Sequence, residues 1–245
     1  GADQDASINV TLPFVFRYYG ETVNEITICS NGWISTHPNA AFHQYRNYEI
    51  PSSLSPDGLI APFWDDLTTT PGHVFVWSDS IHHRFIVEWS RMKVASTTTQ
   101  EVIEVLLLDP AYYPTHTGDG QIIFQYFSVT DVPYGFAPYT DSPYSTVGIE
   151  RPDHNTGLQI TYWNTYRDPA AAHLQAGRAY LFTTDFTYQP PALNLTLTPN
   201  NPPIVIPATG GAFNYGVSLI NNGAAPAIFD FWIMQVTPQL YWQGP

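Results

Sequence analysis

The feature that most constrains this sequence is a series of short segments in which apolar and polar residues alternate. In the segment 84–91, one face of an extended chain would be apolar and the other polar. The apolar face consists of Phe85, Val87 and Trp89. Segments 100–108 and 121–127 repeat the pattern. Because a period of two is that of a half-buried β-strand, the sequence predicts a fold of many short strands.

The amino-acid composition further limits the fold class and the possible partners. The 245 residues include 15% aromatic side chains, with 22 Pro and 16 Gly scattered along the chain. This mixture is typical of strands punctuated by turns. Eight Lys plus Arg against 21 Asp plus Glu give a net charge of -13, which argues against nucleic acid as a partner. No apolar run reaches the ~20 residues of a membrane-spanning helix, so membrane insertion is not expected.

Two neighbouring stretches are predicted to form the centre of the fold. Segment 26–35 contains two short strands around Asn31-Gly32, a pair that tolerates the positive φ of a type I′ hairpin turn. The only cysteine, Cys29, lies in the first strand and is expected to be buried. Segment 59–67 contains an apolar run that ends in two carboxylates, Asp65 and Asp66. The 22-residue loop 37–58 between the stretches is long enough to be functional or to cross between sheets.

The composition shifts near the Pro190-Pro191 step, which indicates a semi-rigid linker. Three strand-like segments follow it, whereas an immunoglobulin-like sandwich needs about seven strands. We therefore predict an all-β protein with a two-sheet antiparallel β-sandwich over residues 1–188. Residues 189–245 would hold a linker and a partial immunoglobulin-like domain, cut short at Pro245.

Six motifs in order resemble the nidogen-like (NIDO-type) extracellular β-sandwich, over roughly residues 8–186. They are Leu12-Pro13-Phe14 with Tyr18-Tyr19-Gly20, Ser30-Asn31-Gly32-Trp33-Ile34-Ser35, Ile60-Ala61-Pro62-Phe63-Trp64-Asp65-Asp66, Arg84-Phe85-Ile86-Val87-Glu88-Trp89, Ile122-Ile123-Phe124-Gln125-Tyr126 and Thr146-Val147-Gly148-Ile149-Glu150. The last three are more similar to a version found in large secreted bacterial proteins, beside immunoglobulin-like modules. Segments 212–215 and 231–234 resemble the first half of such a module.

The resemblance implies a non-catalytic domain of a secreted or cell-surface protein, with an adhesion, matrix or accessory role. It carries over no catalytic residue and no cofactor, because the family has no active-site motif to match. The chain departs from the family's usual arrangement in one respect, because half of the expected immunoglobulin-like domain is missing.

Asp65 and Asp66 are the candidate metal ligands, and calcium is the metal that carboxylate oxygens suit. Adjacent strand residues point to opposite faces, so both can serve one ion only if the strand has ended before them. The alternative is that one aspartate accepts a hydrogen bond from turn backbone and orders the loop.

The segment 131–144 is rich in aromatic and proline residues. Rigid aromatic rings on a loop stack on sugars or anchor protein partners at low entropic cost. Such a loop could equally fold over a sheet edge and shield it. The candidate ligand-binding residues are Tyr134, Phe136, Tyr139 and Tyr144.

Acid pairs suitable for glycoside hydrolysis are hard to place in the sequence. Glu101 and Glu104 would lie on opposite faces of one strand, and Glu88 would meet Glu104 only through cross-strand pairing. The Gly-x-Ser-x-Gly and His-Glu-x-x-His motifs are absent.

The sequence is therefore consistent with three functions. The first is a non-catalytic binding or spacer module whose partners are other protein domains or glycans. The second is a structural subunit in which copies of the chain join by strand complementation into a fibre or surface layer. The third is a glycan-active enzyme or its carbohydrate-binding part.

Overall fold

A computed structural model describes residues 5–95, 98–129, 145–163, 165–168, 171–185, 193–200, 214–221, 235–236 and 242–243. Every regular element within these ranges is a β-strand, and none of them contains a helix able to span a membrane. The strands are β1 (Ser7–Tyr18), β2 (Glu21–Cys29), β3 (Trp33–Ser35), β4 (Leu59–Trp64), β5 (Leu67–Thr68), β6 (His73–Asp79), β7 (Arg84–Val94), β8 (Glu101–Leu108), β9 (Ile122–Ser128), β10 (Thr146–Glu150), β11 (Gly157–Tyr162), β12 (Thr165–Tyr166), β13 (Arg178–Phe182), β14 (Leu193–Pro199), β15 (Tyr215–Asn221), β16 (Gln235–Val236) and β17 (Trp242–Gln243).

The first thirteen strands form two sheets. One has the order β1-β2-β3-β4-β10-β11-β12, and the other has the order β13-β9-β8-β7-β5, with β6 also paired to β7. All the pairings are antiparallel. The predicted all-β, antiparallel fold built from two main sheets is confirmed.

The chain divides into two compact units, Gly1–Asp185 and Phe186–Pro245. The described part of the second unit consists of two ribbons, β14 with β15 and β16 with β17. These ribbons do not establish an immunoglobulin-like arrangement, which stays a prediction.

The main core contains buried side chains from both sheets. Ile34 and Phe63 of the first sheet join Val87, Trp89 and Phe124 of the second in one cluster. The alternating pattern places these residues inward, as predicted for β7 and β9. Burying such a face from water is the main favourable contribution to the stability of the unit.

A second apolar cluster involves the loop between β3 and β4. It joins Trp33, Leu59 and Trp64 with Ile50 and Tyr48 of the loop. Strand β4 is therefore buried along its whole length, which explains its uninterrupted apolar run. Because β3 and β4 are neighbours in one sheet, the expectation that loop 37–58 crosses between sheets is wrong.

Cys29 belongs to this second cluster and is fully buried, as expected. Burial disfavours the thiolate and raises the pKa of the Cys29 thiol to about 11. The thiol is therefore a packing group within the sheet.

The hairpin between β2 and β3 differs from the predicted type I′ turn. Cys29 pairs with Trp33, which leaves a three-residue loop, and only Gly32 in it has a positive φ, of 76°. This is the pattern of a three-residue hairpin loop that ends in a left-handed glycine. The reason is tertiary, because the Asn31 side chain accepts a hydrogen bond from the Leu67 amide (3.0 Å).

Candidate functional site

The two candidate calcium ligands follow the end of β4, so the rule that adjacent strand residues diverge does not apply to them. Asp65 is buried, and its Oδ1 accepts a hydrogen bond from the Asp66 amide (2.8 Å). The Asp65 amide in turn donates to the Asn31 carbonyl (3.3 Å). These contacts are the ones expected if Asp65 orders the turn.

Calcium at Asp65 and Asp66 stays a prediction. Within the described ranges, no group of three or more His, Cys, Asp or Glu side chains is placed to hold a metal ion. A complete calcium site would need further oxygen ligands, because the ion takes about six to eight. If calcium binds, it should raise the melting temperature of the chain and not that of an Asp66→Asn variant. Equal melting temperatures in calcium and in EDTA would leave only the turn-ordering role.

The four aromatic residues predicted to contact a ligand lie outside the described part of the chain. They are Tyr134, Phe136, Tyr139 and Tyr144. Their role stays a prediction.

Glu150, at the end of β10, anchors the long loop between β3 and β4. Its carboxylate is fully buried and accepts hydrogen bonds from the Ser52 amide (3.2 Å) and the Ser55 hydroxyl (2.8 Å). His154 Nδ1 lies 2.6 Å from Glu150 Oε1, and its Nε2 lies 2.8 Å from Asp57 Oδ1. The imidazole therefore bridges two carboxylates, one of them on the loop.

Ser55, His154 and Glu150 are the residue types of a hydrolase triad, but their geometry differs. The Ser55 hydroxyl is buried and lies 2.5 Å from the Ser52 carbonyl, 2.8 Å from Glu150 and 3.3 Å from His154 Nδ1. A nucleophile needs its proton directed at a base and its oxygen facing a substrate. This hydroxyl instead lies between the Ser52 carbonyl of the loop and the Glu150 carboxylate of β10, so the group is an anchor.

The anchor should make stability depend on pH. Burial of the His154 ring disfavours its charged form, but hydrogen bonds to Glu150 and Asp57 outweigh this, and its pKa is raised above 6.5. The bridge therefore contributes fully below the unfolded-state pKa and is lost as pH rises through the folded-state pKa.

A His154→Asn variant would test this, because Asn tolerates the positive φ of 57° at this position. The difference in melting temperature should be largest near pH 5 and should shrink toward about pH 9. A difference that is constant or grows with pH would contradict the bridge.

Glu88 and Glu104 lie directly opposite each other on the outward face of β7 and β8. Burial, and then the charge of Glu88, raises the pKa of Glu104, while Arg84 acts in the opposite direction. The pair borders a shallow cavity of about 460 Å³ that Gln125 and Arg178 also line. The two acids therefore share one open sheet face, whereas glycoside hydrolysis requires carboxylates on either side of a substrate.

An apolar groove of about 360 Å³ is lined by strands of both sheets in the first unit. Strands of both sheets contribute to it, so distant parts of the sequence meet there. Its lining includes Tyr19, Ile149, Leu158, Ile160, Tyr180, Leu181 and Phe182, with Asp119, Thr183 and Thr184 as polar groups.

Two residues that line this groove, Tyr18 and Asp119, are held by hydrogen bonds to backbone groups. The Tyr18 hydroxyl donates to the Leu59 carbonyl (2.7 Å) and accepts from the Glu150 amide (3.1 Å). Asp119 Oδ1 accepts a hydrogen bond from the Gly20 amide (2.7 Å) and lies 3.6 Å from Arg17 Nε. Hydrogen bonds therefore fix the Tyr18 side chain and the Gly20 backbone of the Tyr18-Tyr19-Gly20 motif.

The groove keeps apolar surface in contact with water. Leu158 is 55% exposed and Leu181 is 56% exposed, although both belong to strands. Ligand sites are often concave and largely apolar, with a few fixed polar groups and volumes of about 300–1,000 Å³. Sequence reasoning missed this site because its residues come from five separate segments that no local pattern brings together.

Comparisons with known proteins agree with the architecture. The family model described as NIDO related matches residues 1–184, which contain both main sheets and the groove. No curated protein and no solved structure matches the chain. The resemblance drawn from the six motifs is confirmed.

Proposed function

Because this chain belongs to the NIDO-related family, we propose that it is a non-catalytic binding or spacer module of a secreted or cell-surface protein, with an adhesive or accessory role. Domains of this type are extracellular-type binding modules. They are also a known non-enzymatic class.

The observation that supports binding most directly is the groove around Tyr19 and Leu181. Its floor is apolar, and polar groups at its rim would orient a ligand. The occupant that fits best is an apolar side chain of a partner domain, with Asp119 and the threonine hydroxyls as hydrogen-bond partners for the neighbouring backbone. Burying one such side chain stabilises a complex by about 1.5–3 kcal/mol before entropic costs.

A random-peptide phage library panned against the full chain tests this function. We expect enriched peptides that share an apolar residue and lose binding to a Leu181→Asp variant. The matched control is Ile81→Asp, which places the same charge at an 82% exposed apolar residue outside the groove. Absence of enrichment, or enriched peptides that bind Leu181→Asp equally well, would contradict the groove as the binding site.

Glycans are the alternative ligand class, and the aromatic residues predicted from the sequence would contact them by ring stacking. The test is a glycan microarray probed with the chain and with a variant that carries Ser at positions 134, 136, 139 and 144. Glycan binding that this variant loses would support the aromatic segment as the contact. Binding that it retains would remove that role.

Self-assembly as a structural subunit is the second candidate function. In the second unit, β15 exposes Val217, Leu219 and Ile220, and β14 is its only partner among the described residues. A two-stranded ribbon is marginally stable unless further strands or another layer cover it. Light scattering of the full chain and of residues 1–188 would separate the candidates, since assembly through the ribbon requires the second unit.

A further inference from the structure

Strand β6 forms one edge of the second sheet. Among the described residues it pairs only with β7, so the backbone groups along its other side have no strand partner there. An edge of this kind is a template for the addition of another strand.

This edge lacks the features by which proteins usually block strand addition. Its seven residues contain no Pro and no Lys, and their register with β7 has no irregularity. Edge strand β1 of the other sheet, by contrast, carries Pro13 and a register shift between Thr11 and Phe16. Pro, Lys and bulges at an edge are the common protections against pairing.

Both faces of β6 carry exposed apolar side chains. Phe75 is 54% exposed and Trp77 is 60% exposed on the outward face. On the inward face, Val76 is 45% exposed and borders a groove of about 550 Å³ that Ile8 and Ile28 also line. An added strand would therefore gain side-chain burial on both sides of the sheet.

The charges of β6 favour a second copy of this chain over a charged partner. Between Val74 and Ser78 the strand has no ionisable group, although the chain carries a net charge of -13. Asp79 is already paired, with Arg84 Nε at 2.9 Å and His82 Nδ1 at 2.8 Å. A basic segment would find no free carboxylate along this strand, whereas two acidic copies would meet here with little repulsion.

We propose that β6 pairs antiparallel with β6 of a second copy around a twofold axis at Val76. In this register Val76 lies opposite the partner's Val76, and Phe75 lies opposite the partner's Trp77. Two aromatic cross-strand pairs form on one face, a favourable contact in antiparallel sheets. His73 comes opposite the partner's Asp79, so no like charges oppose each other. Twofold dimers are the commonest symmetric assemblies. The proposed dimer does not involve the groove proposed for ligand binding.

A Val76→Cys variant of the full chain tests the register. Opposed residues in antiparallel strands have Cα atoms about 4.5–5.5 Å apart, which is within the range that a disulfide spans. Cys29 is buried and is the only other cysteine, so it should not react. We expect mild oxidation to give a covalent dimer. The matched control, Val15→Cys at a 60% exposed site on β1, should give no covalent dimer.

A Val76→Lys variant gives a second, non-covalent readout by sedimentation equilibrium. Two lysines would lie opposite each other, so we expect the dissociation constant of the dimer to rise by about tenfold or more. The dissociation constant of a Val15→Lys variant should match that of the unmodified chain. Either variant keeps its fold if its circular dichroism matches that of the unmodified chain. An unmodified chain that is monomeric at every concentration, failure of Val76→Cys to cross-link, or unchanged dissociation of Val76→Lys would each overturn the proposal.

Discussion

Replacing Trp64 by Ala should lower the free energy of unfolding by about 3–5 kcal/mol. The ring is fully buried at the end of β4, beside Tyr48 with ring centroids 6.0 Å apart. Its indole N–H donates to the Gln44 carbonyl (3.1 Å), which also accepts from the indole of Trp33 (2.9 Å). The substitution would leave a cavity and remove one of the two indole hydrogen bonds to the Gln44 carbonyl of the long loop.

Chemical denaturation of the chain and of the Trp64→Ala variant measures this loss. Phe127→Ala is the matched control, since that ring is 81% exposed and its removal should change stability by less than about 0.5 kcal/mol. Similar midpoints for the two variants would show that Trp64 does not belong to the core.

Replacing Gly32 by Ala should cost about 3 kcal/mol or more, the second largest effect expected. The φ of Gly32 is 76°, and a Cβ there would lie 1.9 Å from the Phe63 carbonyl oxygen and 3.0 Å from Leu67 Cδ1. The first neighbour is backbone of β4, so either the hairpin or the strand must shift.

A Gly177→Ala variant separates the cost of a positive φ from the cost of the close contact with β4. Gly177 has a nearly equal φ of 79°, but among the described residues no atom lies within 4 Å of the position that a Cβ would occupy there. We expect this variant to lose only the about 1–2 kcal/mol of left-handed backbone strain. If the two variants unfolded at the same denaturant concentration, the close approach of Gly32 to β4 would be disproved.

The sequence allowed the strands of the core to be predicted because burial of one face imposes a period of two. Strands β7, β8 and β9 follow this rule, with Val87, Val105 and Phe124 inward. Strand β4 departs from it, because the long loop covers its second face. The apolar run predicted that burial, but it did not reveal that the loop returns to the same sheet.

Other features depended on contacts between distant residues and were missed. The turn at Gly32 is shaped by Phe63 and Leu67, more than thirty residues later in the chain. Glu150, His154 and Asp57 meet only when β10 approaches the loop. No local pattern marks such contacts.

The binding groove was equally hidden, since Tyr19, Leu158 and Leu181 come from three separate strand regions. Their alternating segments predict strands but do not show which apolar side chains stay exposed. The free edge of β6 also depends on strand order, which short-range patterns do not specify.

The NIDO-related residues should form a self-contained module, and calorimetric melting of residues 1–188 tests this most directly. We expect a single cooperative transition at the temperature at which the first unit melts in the full chain, while residues 190–245 alone show none. Absence of a cooperative transition in residues 1–188, or a much lower melting temperature, would contradict the account.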